Sequence, residues 1–275
     1  MRLLNRVLYN YNNKPTDLLF HEWLVGFTDG EGSFLITQNA ESGNCYLKYK
    51  LPQSVYNSII LEYIKSELGS DFVSINYDGP YNLVLTISEP NKLRSTIVPI
   101  FDQYPLHTFK YFRYELFKQG LQYLPGDPYL LELKASINSG IPESLVSPNS
   151  KIPSASWLVG FTEAEGSFYI ATRGGAYKHV FGITQKRDKH LLEQLRGIFG
   201  ITANIHKAGG GMWKLETDKI SNINTIINFF DNRIVGIKHL EFDLWKDSFL
   251  NHRLDYAYLA RVQHELRSMR NKHKT

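Results

Sequence analysis

Apolar positions along the chain follow two matching series of helical and strand patterns. Residues 58–69 and 190–200 place apolar side chains three and four positions apart, which predicts helices, and both stretches end at a glycine. Alternating patterns separated by turn sequences predict strands after these helices, at about 72–77, 82–88, 201–207 and 212–217. Helical patterns then close the two series, at about 91–103, 108–122, 219–231 and 237–249.

A repeated segment explains why the two series match. Residues 21–36 read HEWLVGFTDGEGSFLI and residues 155–170 read ASWLVGFTEAEGSFYI. Two strand patterns follow each copy, so each repeat predicts the order α-β-β-α-β-β-α-α. The predicted fold class is therefore α+β, with two pseudo-symmetric units.

The repeat also predicts the domain organisation. We expect one subdomain at 1–123 and a second at 154–275, which ends in a basic C-terminal helix or tail. Residues 124–153 are rich in proline, glycine and serine, so they are predicted to form a linker, with a short helix near 128–137.

The composition is that of an ordinary globular protein, with 43% hydrophobic and 21% charged residues, which excludes a disordered or fibrous chain. Cys45 is the only cysteine, so an internal disulfide and a cysteine-rich zinc site are excluded. No apolar run approaches the roughly 20 residues that a membrane-spanning helix needs. Residues 1–16 contain no acid and are expected to form an exposed arm.

The formal net charge of +4 is too small to establish a polyanionic partner. It is unevenly divided, because residues 1–140 have a net charge of −2 and residues 141–275 have a net charge of +6. The segment from residue 261 to residue 274 contains one acid, Glu265, and five basic residues, which are Arg261, Arg267, Arg270, Lys272 and Lys274. Such a segment is either a solvated helix face or a nucleic-acid contact.

The repeated motif has the pattern of a helix with a small-residue face. Gly26 and Gly30 lie four positions apart, and Gly160 and Ala164 repeat this spacing. Small residues at that spacing allow two helix backbones to approach closely, so we expect the two motif helices to pack through these positions.

Each motif helix ends in a pair of acids, which are Asp29 and Glu31 in the first copy and Glu163 and Glu165 in the second. Carboxylates are unfavourable at the negative end of a helix, and carboxylates brought close together repel each other. Bound divalent cations would relieve both effects. The alternative is that all four acids are exposed helix-end residues, but the matched duplication favours a metal site.

LVGFTDGEG and LVGFTEAEG resemble two copies of the LAGLIDADG motif, and residues 18–250 resemble the single-chain, two-repeat LAGLIDADG homing endonucleases. The resemblance implies two α-β-β-α-β-β-α subdomains that pack through the motif helices, each with a curved antiparallel four-stranded sheet over DNA. It implies metal binding by Glu31 and Glu165, with the carbonyls of Gly30 and Ala164 as further ligands. It gives Asp29 and Glu163 a more structural role.

Two further pairs of catalytic residues follow from this resemblance. Gln53 and Gln185 match a position that orients water in the active site, and Gln53 is expected to share a face with Tyr46, Lys48 and Lys50. Lys110 and Lys238 match a lysine near the scissile phosphates, where a cation stabilises the charge of phosphoryl transfer or lowers the pKa of water.

The sheets of such proteins read DNA in the major groove, which displays distinguishable base edges. Strand alternation and polarity select the candidate DNA contacts. They are Thr37, Asn39, Tyr46, Lys48, Lys50, Asn76 and Asn82 in the first repeat, and Arg173, Lys178, Asn204, His206 and Lys214 in the second.

The predicted function is a monomeric, site-specific, Mg²⁺-dependent endonuclease that cuts a long asymmetric DNA target and leaves short 3′ overhangs. Mn²⁺ is expected to substitute for Mg²⁺, and Ca²⁺ to support binding without cleavage. The alternatives are an intron-encoded maturase that assists splicing of a group I intron RNA, with or without cleavage, and a DNA-binding relic. By family analogy the protein is placed in an organelle, the mitochondrion or the chloroplast, with no membrane partner.

Overall fold

A computed structural model describes residues 17–140, 142, 145, 147–149 and 151–272 of the chain. The arm predicted for residues 1–16 and the basic residue Lys274 lie outside the described residues. None of the helices within the described ranges is both long and apolar enough to cross a membrane.

The first repeat contains two pairs of strands, each followed by helices. Its elements are α1 Phe20–Glu31, β1 Ser33–Gln38, β2 Cys45–Ser54, α2 Ser58–Leu68, β3 Ser74–Tyr77, β4 Asn82–Ile87, α3 Pro90–Lys92, a π-helical turn at Leu93–Ile97, α4 Val98–Gln103, α5 Lys110–Gly120 and α6 Tyr129–Ser139. The short helix predicted in the linker is therefore α6.

The second repeat follows the same order. Its elements are α7 Ala155–Glu165, β5 Gly166–Arg173, β6 Ala176–Gln185, α8 Lys189–Ile198, β7 His206–Lys207, β8 Trp213–Thr217, α9 Ile220–Phe230, α10 Lys238–Asn251 and α11 Tyr256–Lys272. The strand predicted at 201–207 is much shorter than expected, because only His206 and Lys207 pair with β8.

Each repeat forms one four-stranded sheet. The strand orders are β1-β2-β4-β3 and β5-β6-β8-β7, and the two sheets have the same topology. Phe34 pairs with Tyr49 in the first sheet, and Phe168 pairs with Phe181 in the second. The predicted α+β fold with two pseudo-symmetric units is confirmed, and these registers identify equivalent positions in the two repeats.

The chain divides into two units that do not follow the repeat exactly. The first unit contains residues 19–53 and 61–161, and the second contains residues 54–60 and 162–272 with residues 17 and 18. The motif helix α7 therefore begins in the first unit, and its last four residues belong to the second. The subdomain boundaries drawn from the repeat stay a prediction.

Each sheet buries one face under helices through a cluster of aromatic rings. In the first unit, the ring of Phe34 lies 5.0 to 5.4 Å from the rings of Tyr49, Phe101, Tyr114 and Phe117. Phe168 has the same role in the second unit, with Phe181, Phe230, Phe242 and Trp245 at 5.0 to 5.8 Å. The opposite face of each sheet carries the polar residues of the strands.

The basic C-terminal segment is a packed helix, since α11 lies against the edge strand β5. Leu259, Val262 and Leu266 form its buried stripe. Gln263 Nε2 donates a hydrogen bond of 2.8 Å to the carbonyl of Ile170, which satisfies part of the exposed strand edge. The helix α6 packs against β1 in the first unit, so the edge strands β1 and β5 each have a helical cover.

A buried histidine links β6 to the helices of the second unit. His179 is 4% exposed, lies against the rings of Trp245 and Phe249, and hydrogen bonds through Nε2 to Ser248 Oγ at 2.8 Å. Burial and the positive charge of Arg253 lower the pKa of His179 to about 4.

This pKa predicts that acid weakens the fold. The unfolded chain binds a proton at His179 below about pH 6.5, whereas the folded chain does so only near pH 4, so the free energy of unfolding falls as the pH falls through this range. His179 should account for a loss of about 2 kcal/mol between pH 7 and pH 5, measured by urea unfolding as the difference between the wild type and His179→Gln. His179→Gln should remove most of this loss, and the exposed His264→Gln should keep it. Equal pH profiles for His179→Gln and the wild type would contradict the assignment.

Candidate active site

The last residue of each motif helix is a partly exposed glutamate, Glu31 in α1 and Glu165 in α7. A glycine follows each one, and the chain there turns back tightly against the helix. A Cβ atom on Gly32 would lie 2.4 Å from Thr28 Cγ2, and a Cβ atom on Gly166 would lie 2.4 Å from Thr162 Cγ2. Steric contact therefore explains the glycine after each glutamate.

Within the first unit, α1 and the first half of α7 pack backbone against backbone. A Cβ atom on Gly26 would lie 2.1 Å from the carbonyl oxygen of Trp157, and one on Gly160 would lie 2.0 Å from that of Trp23. No side chain fits at either position. The structure thus brings together Gly26 and Gly160, while Gly30 and Ala164 lie further along the same helices and are partly exposed.

Asp29 is buried and held by four donors of the first unit. Its oxygens accept hydrogen bonds from His107 N at 2.9 Å, Thr108 N at 3.0 Å, Thr108 Oγ1 at 2.5 Å and Trp157 Nε1 at 2.9 Å. Burial raises the pKa of Asp29 to about 6, although these hydrogen bonds lower it. Asp29 therefore fixes the segment that leads into α5 to the end of α1.

Glu163 does the same in the second unit. It accepts hydrogen bonds from Val235 N at 3.0 Å and Gly236 N at 2.5 Å, in the loop that leads into α10. A Cβ atom on Gly236 would lie 2.9 Å from Asn57 Oδ1 and 3.1 Å from Glu163 Oε1, so the loop approaches both side chains closely. Backbone and side-chain donors thus compensate the buried Asp29, and backbone donors compensate Glu163.

The two partly exposed glutamates are the remaining candidates for a metal. Among residues 17–272, as far as the structure describes them, no three His, Cys, Asp or Glu side chains are grouped to hold a metal ion by themselves. An ion at Glu31 or Glu165 would therefore use one carboxylate, a neighbouring backbone carbonyl such as that of Gly30 or Ala164, and oxygen atoms from outside the chain. This all-oxygen donor set fits a hard divalent cation such as Mg²⁺ or Ca²⁺.

A lysine reaches the end of each motif helix. Lys110 Nζ donates to the carbonyls of Thr28 at 3.0 Å and Gly30 at 2.5 Å, and Lys238 Nζ donates to the carbonyl of Gly166 at 2.5 Å. An ammonium group is favourable at the negative end of a helix. Each unit therefore places an ammonium group against the carbonyl of a residue next to its terminal glutamate. The lysine is the first residue of α5 in the first unit and of α10 in the second.

The two candidate glutamines lie near the ends of β2 and β6. Gln53 follows Leu51 and Tyr49 in the alternation of an unbroken strand, so the expectation that it shares a face with Lys50 is wrong. Gln185 is 8% exposed, and its Nε2 has no hydrogen-bond partner among the described residues. A buried amide N–H without a partner costs free energy. Gln185 Nε2 is therefore a candidate donor to a bound water or ligand oxygen.

The first sheet presents its candidate DNA contacts as alternation requires. Tyr46, Lys48 and Lys50 are exposed or partly exposed, whereas the residues between them are buried. Thr37 Oγ1 donates to the carbonyl of Tyr46, and Asn39 Oδ1 accepts from two backbone N–H groups in the hairpin turn. Two further candidates, Asn76 and Asn82, are exposed in β3 and β4.

In the second sheet, ion pairs connect candidate residues that were predicted one by one from the sequence. Arg173 and Lys214 both pair with Glu216, which sequence analysis missed. The signal for it was available, because Lys214 and Glu216 are two positions apart and so share one face of a strand. The other candidates are exposed: Lys178 in β6, His206 in β7 and Asn204 in the loop before β7.

A family model described as LAGLIDADG endonuclease matches residues 24–121 and 158–249. These ranges contain all eight strands and the C-terminal two thirds or more of each motif helix. The chain belongs to the LAGLIDADG endonuclease family.

Relatives and a solved structure support this assignment. The chain is 32% identical to the probable intron-encoded endonuclease Cox1-I1b of Schizosaccharomyces pombe, over 95% of this chain and 72% of that protein. It is 30% identical to the uncharacterized mitochondrial protein RF1 of Saccharomyces cerevisiae, over 90% of this chain and 51% of that protein. It resembles the structure of I-SmaMI bound to an uncleaved DNA target with calcium ions, with a TM-score of 0.76, 28% identity, and coverage of 92% of this chain and 99% of that chain. The naming of the S. pombe relative favours the nuclease over the maturase.

One hydrogen bond that anchors a motif helix is present in only one repeat. Thr28 Oγ1 lies 2.6 Å from Tyr49 OH, and both groups are buried. Phe181 is the register equivalent of Tyr49, and the buried Thr162 Oγ1, equivalent to Thr28, has no hydrogen-bond partner among the described residues.

We therefore expect Phe181→Tyr to stabilise the protein by about 1 kcal/mol, since the new hydroxyl can pair with Thr162. Tyr49→Phe should destabilise it by about 1 to 2 kcal/mol, because it leaves Thr28 Oγ1 buried and unpaired. Urea unfolding of both variants measures the two effects. A loss of stability for Phe181→Tyr would show that Thr162 is satisfied in another way.

Proposed function

We propose that this chain is a site-specific DNA endonuclease that hydrolyses one phosphodiester bond in each strand of a long asymmetric target and leaves short 3′ overhangs. The observation that carries the proposal is the duplicated arrangement of a partly exposed glutamate beside a lysine ammonium at the end of each motif helix, in a chain of the LAGLIDADG endonuclease family. One such site for each strand matches a reaction with two cuts.

We assign metal binding to Glu31 and Glu165, with Mg²⁺ as the working ion and Mn²⁺ as a substitute. A bound divalent ion would stabilise charge on the phosphoryl group and lower the pKa of the attacking water. Ca²⁺ should support DNA binding without cleavage, in line with the calcium-containing complex of I-SmaMI on uncleaved DNA.

The side chains around each glutamate have separate tasks in this proposal. Lys110 and Lys238 place positive charge beside the scissile phosphates and stabilise the charge that develops during transfer. Gln185 supplies a donor for water or phosphate oxygen, and Gln53 is its counterpart. Asp29 and Glu163 hold the lysine-bearing helices in place and take no part in the chemistry.

The two sheets would read different half-sites. Their candidate contact residues differ at equivalent positions, such as Asn39 in the first repeat and Arg173 in the second. A single chain with two unlike reading surfaces predicts a monomer on an asymmetric duplex. We place the protein in an organelle, most directly the mitochondrion, in line with the mitochondrial relative from S. cerevisiae.

We expect Glu31→Gln and Glu165→Gln each to lower double-strand cleavage at least about 100-fold, because each removes a charged ligand from one site. Binding of the same DNA in Ca²⁺ should persist. Selection of cleaved duplexes from a randomised library in Mg²⁺ supplies the target for both measurements. Glu22→Gln, which makes the same charge change in the first turn of α1, is the matched control. Unchanged cleavage by both site variants would overturn the proposal.

Gln185 offers a test that separates a catalytic role from a structural one. Gln185→Met removes a buried donor that has no partner among the described residues, so we expect stability to stay equal or to rise by about 1 kcal/mol. Cleavage should nevertheless fall. Urea unfolding and single-turnover cleavage of the same preparation give both values, and a stable variant with full activity would show that Gln185 has no part in the reaction.

A further inference from the structure

The open face of the second sheet carries a connected cluster of charged and polar side chains. Glu216 Oε2 accepts from Tyr169 OH at 2.6 Å and lies 2.5 Å from Lys214 Nζ. Its other oxygen lies 2.6 Å from Arg173 NH2. Arg173 NH1 also lies 3.1 Å from Asp218. We call Tyr169, Arg173, Lys214 and Glu216 the Glu216 cluster.

Glu216 is the centre of this cluster. Its side chain is 16% exposed, compared with 40% for Arg173 and 28% for Lys214. Burial raises the pKa of the Glu216 carboxyl, but hydrogen bonds from Lys214 and Tyr169 and the charges of Lys214 and Arg173 together lower it to about 2. The carboxylate is therefore ionised and engaged by both cations at neutral pH.

Strand register places the cluster on the face opposite the buried rings of Phe168 and Phe181. Glu216 pairs with Gly182, and Gly182 lies between Phe181 and Ile183, whose side chains are buried on the other face. A Cβ atom on Gly182 would be only 3.5 Å from Tyr169 Cε1, so the tyrosine ring covers the glycine. Arg173 and Lys214 are thus held on the face to which the proposed function assigns DNA.

The equivalent face of the first sheet has no such carboxylate. Thr86 and Glu216 each lie four residues before the next helix, and the equivalents of Tyr169, Arg173 and Lys214 are Leu35, Asn39 and Val84. Lys48 and Lys50 share this first face and make no ion pair with the residues that the structure describes. The first sheet therefore presents cations without a local acid, and the second presents cations that are already paired.

We infer that Glu216 is a specificity-determining residue, which holds Arg173 and Lys214 on the sheet face and withholds them from DNA phosphates. This inference rests on the proposed function, because it concerns the same DNA-binding face. Arg173 uses two of its nitrogens for Glu216 and Asp218, and its position is fixed without exhausting its five N–H donors. Hydrogen bonds to a base edge in the major groove require a defined geometry, which a fixed guanidinium provides. A phosphate contact does not need the guanidinium to be held in place.

The physical basis is competition between a carboxylate and phosphates for the same cations. Contacts to phosphate provide most of the affinity for unrelated DNA and carry no sequence information. A cation that leaves Glu216 for a phosphate leaves the carboxylate partly buried and unpaired, next to a polyanion. Only a sequence whose base edges accept the cations in their paired positions avoids this cost.

Glu216→Gln should therefore strengthen binding to unrelated DNA and weaken discrimination. We expect the slope of log affinity against log salt on a scrambled duplex to become steeper by about 0.9 for each phosphate gained, for about one or two phosphates. Discrimination between the selected and the scrambled duplex should fall at least about fivefold. Both values come from fluorescence-anisotropy titrations in Ca²⁺ over a range of salt concentrations.

The reciprocal variant is Thr86→Glu, and it keeps the test valid if Glu216→Gln folds poorly. Matching the two sheets strand by strand places residue 86 opposite Lys50, as Glu216 lies opposite Gly182. The new carboxylate should pair with Lys50 and make the salt slope shallower by about 0.9. Asp231→Asn is the matched control, because it makes the same charge change as Glu216→Gln and removes one of the two ion pairs of Lys246 among the helices. It should leave the slope and the discrimination unchanged.

The outcomes separate this inference from the proposed function. A steeper slope and lower discrimination for Glu216→Gln, with Asp231→Asn unchanged, support the inference. Equal effects of Glu216→Gln and Asp231→Asn would show that only net charge matters, and would overturn the inference. An unchanged salt slope for both Glu216→Gln and Thr86→Glu would also overturn it. If the wild type neither selects nor binds any duplex, the proposed function itself fails, whatever the variants show.

Discussion

The close approach of two helix backbones at Gly26 and Gly160 is the constraint on which the first unit depends. A single Cβ atom at either glycine would overlap a carbonyl oxygen of the other helix. With α7 that close, Trp157 reaches Asp29 and donates a hydrogen bond to it. Asp29 in turn holds the segment before α5, the helix whose first residue is Lys110. Steric contact between two helices thus determines where a catalytic candidate lies.

The two acids of each motif differ in burial, and this difference separates a structural role from a reactive one. Asp29 and Glu163 are enclosed and take up the N–H groups that precede the next helix, while Glu31 and Glu165 stay partly exposed beside a lysine ammonium. Two carboxylates that are two residues apart on a helix point in different directions, so the same motif can supply a structural acid and a reactive one. This division is repeated in both units despite the change of Asp29 to glutamate at Glu163.

Duplication has left the two repeats alike in the core and unlike on the open faces of the sheets. Phe34 and Phe168 are each surrounded by four aromatic rings, although the residue types differ, because a packed interior must stay filled. On the open faces, Thr86 and Glu216 occupy equivalent positions with opposite electrostatic consequences. Divergence there costs little stability, and it is where two unlike DNA half-sites would require it.

The sequence by itself determined the repeat, the α+β order of elements, the acids of the motif and the lysines, since these follow from local periodicity and direct comparison of two segments. It did not determine the partners of Asp29. Only the tertiary structure decided these, because they lie far along the chain: Trp157 Nε1 is 128 residues from Asp29. Glu216 is the sharpest case, since Lys214 is visible two residues away whereas Arg173 reaches it from another strand.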